Sequence, residues 1–334
     1  MKNYILVVTL AILGGFTCVA QTSFEKICKE KVTKATSTTV VGQDGWLFLT
    51  SELSHIAKGK FYGSAAAKTA VCASPDRKDP IPAIVDFNNQ LQQQGIQLYL
   101  MPVPPKAMIN ASKVDASLQN NQKLAVHYQN LYKELRGQGV EVIDVFPDFY
   151  KETAKGNLMY CKQDSHWNPA GIKVASTNVS NTIKKQDWYQ NDAGKIKKEK
   201  PTQKTIQIEG DLKAAADINL GKEKLSINTF QKASKIDENS PVLVIGDSHT
   251  LIFHSGGDML AENAGFTDAL AAQLGLNVDL IGVRGSGTTS VRIDLYRKAK
   301  NKDWLGKKKV IIWCFAARNF SESKNGWRKV PVMK

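Results

Sequence analysis

The chain contains no Cys-x-x-Cys and no His-x-x-x-His pair, so the spacings that build common zinc sites are missing. No metal site is expected, and no cofactor is called for. Histidine is scarce. His55, His127, His166, His249 and His254 are the whole supply, so an imidazole base must be one of these. Beyond the first twenty residues, no apolar run is long enough to span a bilayer. No internal repeat is visible. Acid is also short: 31 Asp and Glu against 45 Lys and Arg leave a net charge of +14. Such a surplus suits a polyanion: nucleic acid, an anionic membrane face or an acidic polysaccharide. A solvated lysine-rich surface accounts for it equally well.

What is present begins with a leader. Lys2 opens a short basic region, residues 4–16 are apolar, and Cys18-Val19-Ala20 offers small residues before Gln21. These are the parts of a secretory signal peptide, so residues 1–20 are expected to be removed, with cleavage near Ala20. Export to the periplasm changes how the cysteines read. Cys28, Cys72, Cys161 and Cys314 would then lie in an oxidising space, and four cysteines allow three full pairings. Cys314 sits in an apolar strand and suits a buried thiol. A Cys72–Cys161 bridge would pin the loop that follows Cys161.

Residues 21–334 read as one α/β domain. Val40 to Leu49 hold Asp44-Gly45, a turn signal between two β-prone runs, which predicts a hairpin. Pro80 opens a helix with Ile84, Phe87 and Leu91 at helical spacing, and residues 96–103 form a strand. Lys106 follows that strand and reads as a solvated loop lysine. The helix–strand alternation repeats over 120–145 and again over 241–315, which argues a mainly parallel sheet with helices on both faces. Residues 184–235 break the pattern. Their lysine-rich start reads as a surface insertion, with short rim strands at 206–212 and 225–230.

The most informative stretch is Pro241-Val242-Leu243-Val244-Ile245-Gly246-Asp247-Ser248-His249. An apolar strand runs into Gly-Asp-Ser, and reacting groups in open α/β sheets sit at strand carboxyl ends. Serine needs an adjacent base. His166 is the candidate, with Asp164 two residues before it to orient the ring. If that segment is extended, the two side chains share a face. His249, next to Ser248, reads as a pocket or structural residue. Gly-Asp-Ser also suits simple helix capping. An oxyanion pocket could draw on the Ser248 N–H, on the loop Gly285-Ser286-Gly287, and on Arg318 or Asn319 after the 310–315 strand. Arg284 and Arg318 are equally readable as surface or ion-paired arginines.

Together these segments resemble the SGNH hydrolase superfamily, and in particular the permuted SGNH-like domain of the alginate O-acetyltransferase family. There the Asp-x-His block precedes the serine, as Asp164-Ser165-His166-Trp167 precedes Ser248 here. Asp44-Gly45-Trp46-Leu47-Phe48, Met101 to Lys106, and Glu262-Asn263-Ala264-Gly265-Phe266 are similar to further segments of that family. The resemblance implies a flavodoxin-like sheet and an exported enzyme that moves acetyl groups onto hydroxyls of an exopolysaccharide. By this analogy Ser248 is acetylated, His166 is base and then acid, and Asp164 orients it. The acceptor would be an anionic, alginate-like polysaccharide rather than nucleic acid. The acetyl donor would come from a membrane-bound O-acyltransferase partner. Two alternatives stay open: an acetyl esterase with the same triad, and a non-catalytic polysaccharide-binding component of an export complex.

Overall fold

The computed structural model describes residues 5–192, 199–216 and 218–333. Lys2 and Tyr4 of the expected leader lie outside these residues, as do positions 193–198 of the lysine-rich stretch. Five strands form the central sheet: β3 (Gln97–Val103), β4 (Glu141–Val142), β7 (Val242–Gly246), β8 (Asp279–Gly282) and β9 (Val310–Ala316). Their order is β4-β3-β9-β7-β8, and every pairing is parallel. Two smaller antiparallel pairs flank it, β1 (Thr39–Val41) with β2 (Leu47–Leu49), and β5 (Thr202–Ile208) with β6 (Glu223–Thr229).

The apolar character of β3, β7 and β9 follows from their central place. Every residue of β7 and β9 is buried, as parallel strands covered on both faces must be. Helices carry the chain back between strands. Val126–Gly137 joins β3 to β4, Phe266–Leu274 joins β7 to β8, and Thr289–Lys298 lies between β8 and β9. The chain leaves β3 toward one edge and β7 toward the other, with β9 between them. Connections that diverge in this way open a crevice at the strand carboxyl ends.

The hairpin expected at 40–49 is present. Asp44 and Gly45 both take positive φ, 53° and 75°, as the Asp-Gly turn signal requires. The segment after it forms the helix Thr50–Ala57, in which His55 is buried. The helix Ile5–Lys34 continues past Ala20 and buries Phe24 and Cys28 in the main core. Among the described residues no helix is long and apolar enough to cross a membrane.

Two expectations about strands and cysteines need correction. The rim strands at 206–212 and 225–230 are instead β5 and β6, with the helix Asp211–Ala216 between them. Asp211 stands in the first turn of that helix, where a carboxylate suits the dipole, so the strand stops at Ile208. The Cys72–Cys161 bridge is not formed: Cys28, Cys72, Cys161 and Cys314 are all free and buried. The Cys72 thiol faces Ser74 O at 3.7 Å, while that of Cys161 faces Trp167 O at 3.8 Å. Each sulfur is held in its own packing site.

Candidate active site

Ser248 stands two residues past the end of β7. Asp247 lies between strand and serine and caps the 3₁₀ turn Ser248–Thr250, its carboxylate accepting from His249 N at 3.0 Å. The other Asp247 oxygen accepts from Ala316 N at 2.8 Å and from Asn319 Nδ2 at 3.0 Å. This fully buried carboxylate thus ties the end of β7 to the end of β9 and fixes the serine. Burial opposes its charge, but the neighbouring His249 and the hydrogen bonds prevail and hold its pKa below the usual range.

The second segment comes from a loop closed by an antiparallel bridge between Tyr160 and Trp167. Asn168 then caps the helix Pro169–Ile183, accepting from Ala170 N at 2.9 Å and Gly171 N at 3.0 Å. At the loop's tip Asp164 Oδ1 accepts from His166 N at 2.9 Å. This side-chain-to-backbone turn, rather than an extended segment, brings the carboxylate onto its own histidine. His166 Nδ1 is 2.7 Å from Asp164 Oδ1, and His166 Nε2 is 2.7 Å from Ser248 Oγ. Hydroxyl, imidazole and carboxylate therefore form one continuous relay.

The relay is nearly enclosed. Ser248 is 8% exposed, His166 5% and Asp164 2%. Burial disfavours a charged His166, but the Asp164 hydrogen bond and charge outweigh it and raise its pKa above the ordinary value. Asp164 likewise resists burial through His166 and the Asp211 N–H, and its pKa lies below the usual range. His249 packs beside this pair with its ring 4.8 Å from that of His166 and its Nδ1 on Asp247.

A cleft of about 970 Å³ opens over Ser248 and His166. Its far wall comes from the β5–β6 arm through Glu209, Gly210, Asp211 and Lys213, and its near wall holds Arg284 and Gly285. Both cations in this lining have carboxylate partners: Lys213 pairs with Glu209 at 3.2 Å, and Arg284 pairs with Asp258.

The family model for the SGNH hydrolase-like domain of acetyltransferase AlgX matches residues 39–317. The chain belongs to this AlgX family. Among curated proteins, "Probable alginate O-acetylase AlgJ" of Pseudomonas putida is 26% identical over 156 residues, which is 46% of this chain and 36% of that protein. The protein of the same name from Pseudomonas fluorescens is 22% identical over 298 residues, 84% of this chain and 67% of its own length. The chain thus matches about a third of the P. putida relative. Among solved structures, the O-acetyltransferase domain of P. putida AlgJ superimposes with a TM-score of 0.61 at 19% identity, covering 85% of this chain and 92% of that one. Pseudomonas aeruginosa AlgX gives 0.58 at 20% identity, covering 83% and 61%. At such identities the structural likenesses show a shared fold, the SGNH-like α/β fold.

Within this AlgX-family fold, the other residues singled out in the sequence take varied places. Gly285 lines the cleft, as does Arg284 through its ion-paired side chain. Gly287 lies behind the cleft wall: a Cβ there would come within 2.4 Å of Phe315 Cβ, and its carbonyl accepts from Trp313 Nε1. Asn319 spends its amide on Asp247 and so braces the Ser248 turn. Arg318 is half-buried after β9, and its charge is felt at His166, His249 and Asp247. Lys106 is not a solvated loop lysine. It is 1% exposed and bound to three backbone carbonyls.

Asp211 and Glu223 escaped sequence reading, yet both hold the His166 loop. Asp211 accepts from Ser165 N at 2.7 Å and Ser165 Oγ at 2.6 Å, and Glu223 accepts from Lys162 N at 2.9 Å and Gln163 N at 3.0 Å. Gly210 permits this contact, because a Cβ there would lie 2.1 Å from Gln163 O. The one signal available was Gly-Asp at a helix start inside an otherwise lysine-rich stretch. Asp164, His166 and Asp211 also lie close enough together to suggest a cation, but their atoms are used by the relay and by the loop.

Proposed function

We propose that the chain is an O-acetyltransferase that carries an acetyl group on Ser248 and delivers it to a hydroxyl of a polysaccharide. The observation that carries this reading is the Ser248–His166–Asp164 relay, 2.7 Å at each side-chain step, opening on a cleft of about 970 Å³. Membership in the AlgX family and the likeness to proteins named as alginate O-acetylases support the acyl group and the acceptor class.

In the first half-reaction His166 Nε2 takes the Ser248 proton as Oγ attacks the acetyl carbonyl. Asp164 stabilises the resulting imidazolium. The Ser248 N–H opens its turn without a partner inside it, and the Gly285 backbone lies across the cleft, so these are the proposed oxyanion donors. The intermediate collapses, His166 returns the proton to the leaving group, and acetyl-Ser248 remains. In the second half, neutral His166 removes the proton from an acceptor hydroxyl. That oxygen attacks the acetyl carbon, the Ser248–acetyl bond breaks, and Oγ regains its proton.

The leader of residues 1–20 directs the chain to the periplasm. Cleavage near Ala20 leaves Phe24 and Cys28 to complete the core. The acceptor is an alginate-like polysaccharide, drawn in the first place by the surplus of lysine and arginine. A membrane-bound O-acyltransferase supplies the acetyl group. The experiment is transfer from a chromogenic acetyl ester with and without oligosaccharide acceptors, followed by mass analysis of the glycan. Acceptor-dependent ester loss with acetylated glycan supports the proposal. Equal loss without acceptor, and no acetylated glycan, makes the protein an esterase.

A further inference from the structure

Lys106 is a buried cation that meets the relay only through the backbone carbonyl of Asp164. It stands just past β3 and is 1% exposed. Its three ammonium protons have three acceptors: Leu47 O at 2.6 Å, Lys162 O at 2.9 Å and Asp164 O at 2.9 Å. The three carbonyls belong to different parts of the chain, namely the β1–β2 hairpin and two points on the His166 loop. Leu47 N also donates to Lys162 O at 2.9 Å, so hairpin and loop are already paired where Lys106 joins them. The ammonium lies 5.3 Å from the ring centroids of both Trp46 and Phe48, which gives it an electron-rich floor.

Burying an ammonium is costly unless its protons and charge are met. A methionine of similar length would fill the space without that cost. The retained charge is aimed at the one residue whose side chain orients His166. Glu52, from the helix after the hairpin, holds the other side of the site by accepting from Ala107 N at 2.9 Å. The Asp164 carboxyl is reached by the Asp211 N–H and by His166, but its carbonyl is held by Lys106.

We infer that Lys106 is a positioning residue for acyl transfer: by clamping Leu47, Lys162 and Asp164 it sets the place of Asp164 and, through it, the angle at which His166 meets Ser248. This rests on the Ser248–His166–Asp164 reading above. The titratable groups around Lys106 are Glu52 from the helix after the hairpin, Asp164 and Cys161 from the loop, and Glu223 from β6, and burial keeps the Cys161 thiol neutral. Burial lowers the Lys106 pKa to about 8, against the pull of these groups. The clamp therefore weakens as pH rises past about 8 and one ammonium proton leaves.

The test uses the full chain and a fluorophosphonate probe, which reports Ser248 activation without donor or acceptor. The inactivation rate constant and the probe's binding constant are measured from neutral to alkaline pH for wild type, Lys106→Met and Lys106→Arg. Lys106→Met should lower the rate constant by about tenfold or more with the binding constant unchanged, because only the relay's geometry is affected. Lys106→Arg keeps a charge at all pH, and its rate should lack the alkaline decline that wild type shows. A folded Lys106→Met protein with the wild-type rate overturns the inference. Should that variant not fold, a Lys106→Arg profile superimposable on wild type overturns it equally. A wild type unlabelled at Ser248 overturns the triad reading instead, so the two failures are distinguishable.

Discussion

The Asp211 N–H donates to Asp164 Oδ2 at 3.0 Å, joining a segment that looks like a surface insertion to the carboxylate of the relay. The β5–β6 arm is thus both one wall of the cleft and a brace for the loop that carries His166. Asp211→Asn keeps the size of the side chain but replaces one acceptor oxygen by a donor facing Ser165. Labelling of Ser248 should slow by about tenfold, while the melting temperature stays close to that of wild type, because the carboxylate is at the protein's surface. Kinetic labelling beside calorimetry checks both parts.

Ser248→Ala and His166→Ala should each reduce acetyl transfer by on the order of 10³-fold or more, and the double variant should lose little beyond either. Groups that act as one relay do not add. Losses that multiply in the double variant, measured as transfer rates at saturating donor, would mean the two side chains act separately.

The acid limb of the pH profile should lie higher than an ordinary histidine allows. Asp164 raises the His166 pKa above its usual value, and the base must be neutral to accept the Ser248 proton. Activity is therefore lost as pH falls through that raised pKa, above the free-histidine value of about 6.5. Asp164→Asn removes the charge that raises it, so the limb should move to lower pH even as the maximum rate falls. The rate of Ser248 labelling against pH is the readout.

Asp247 holds β7 against β9 from inside the core, through Ala316 N and the Asn319 amide. Asp247→Ala leaves those donors unpaired and should cost about 3 kcal/mol of stability. Denaturant titration with a sugar-free, substrate-free sample measures it. Asn319→Ala removes one of the donors and should cost less.

His55 gives stability its own acid limit. Its Nδ1 is 2.7 Å from Ser321 Oγ, its Nε2 meets the Tyr128 hydroxyl, and burial pushes its pKa down to about 3. An unfolded histidine titrates near 6.5, so the unfolded chain binds the proton first as pH falls. The stability from this neutral histidine is complete above about 6.5 and shrinks as pH drops toward about 3. His55→Gln should flatten that part of a stability-against-pH curve.

The sheet was readable because β7 and β9 are unbroken apolar runs ending at Gly246-Asp247 and at Ala316-Ala317, a pattern that burial on both faces imposes. Ser248, Asp164 and His166 could be picked out because strand-end position and a two-residue spacing are local signals. The roles of Lys106, Asp211 and Glu223 were not legible. Each acts through backbone atoms of a loop 46 to 61 residues away, and no local pattern encodes such a contact. Asn319 and Gly287 stand beside the right strand, yet one serves Asp247 and the other packs against Phe315. Sequence neighbourhood locates a strand end but not the direction a side chain takes from it. The lone lysine after β3 looked solvated because lysines usually are, and only the three converging carbonyls show otherwise.

The most direct measurement is peptide mapping by mass spectrometry after brief exposure of the protein to an acetyl ester and acid quenching. The account predicts one added acetyl group on the peptide holding Ser248, absent from Ser248→Ala, and lost from wild type when an oligosaccharide is added while the glycan gains it. Acetyl found on another residue, or a glycan acetylated at the full rate by Ser248→Ala, would contradict it.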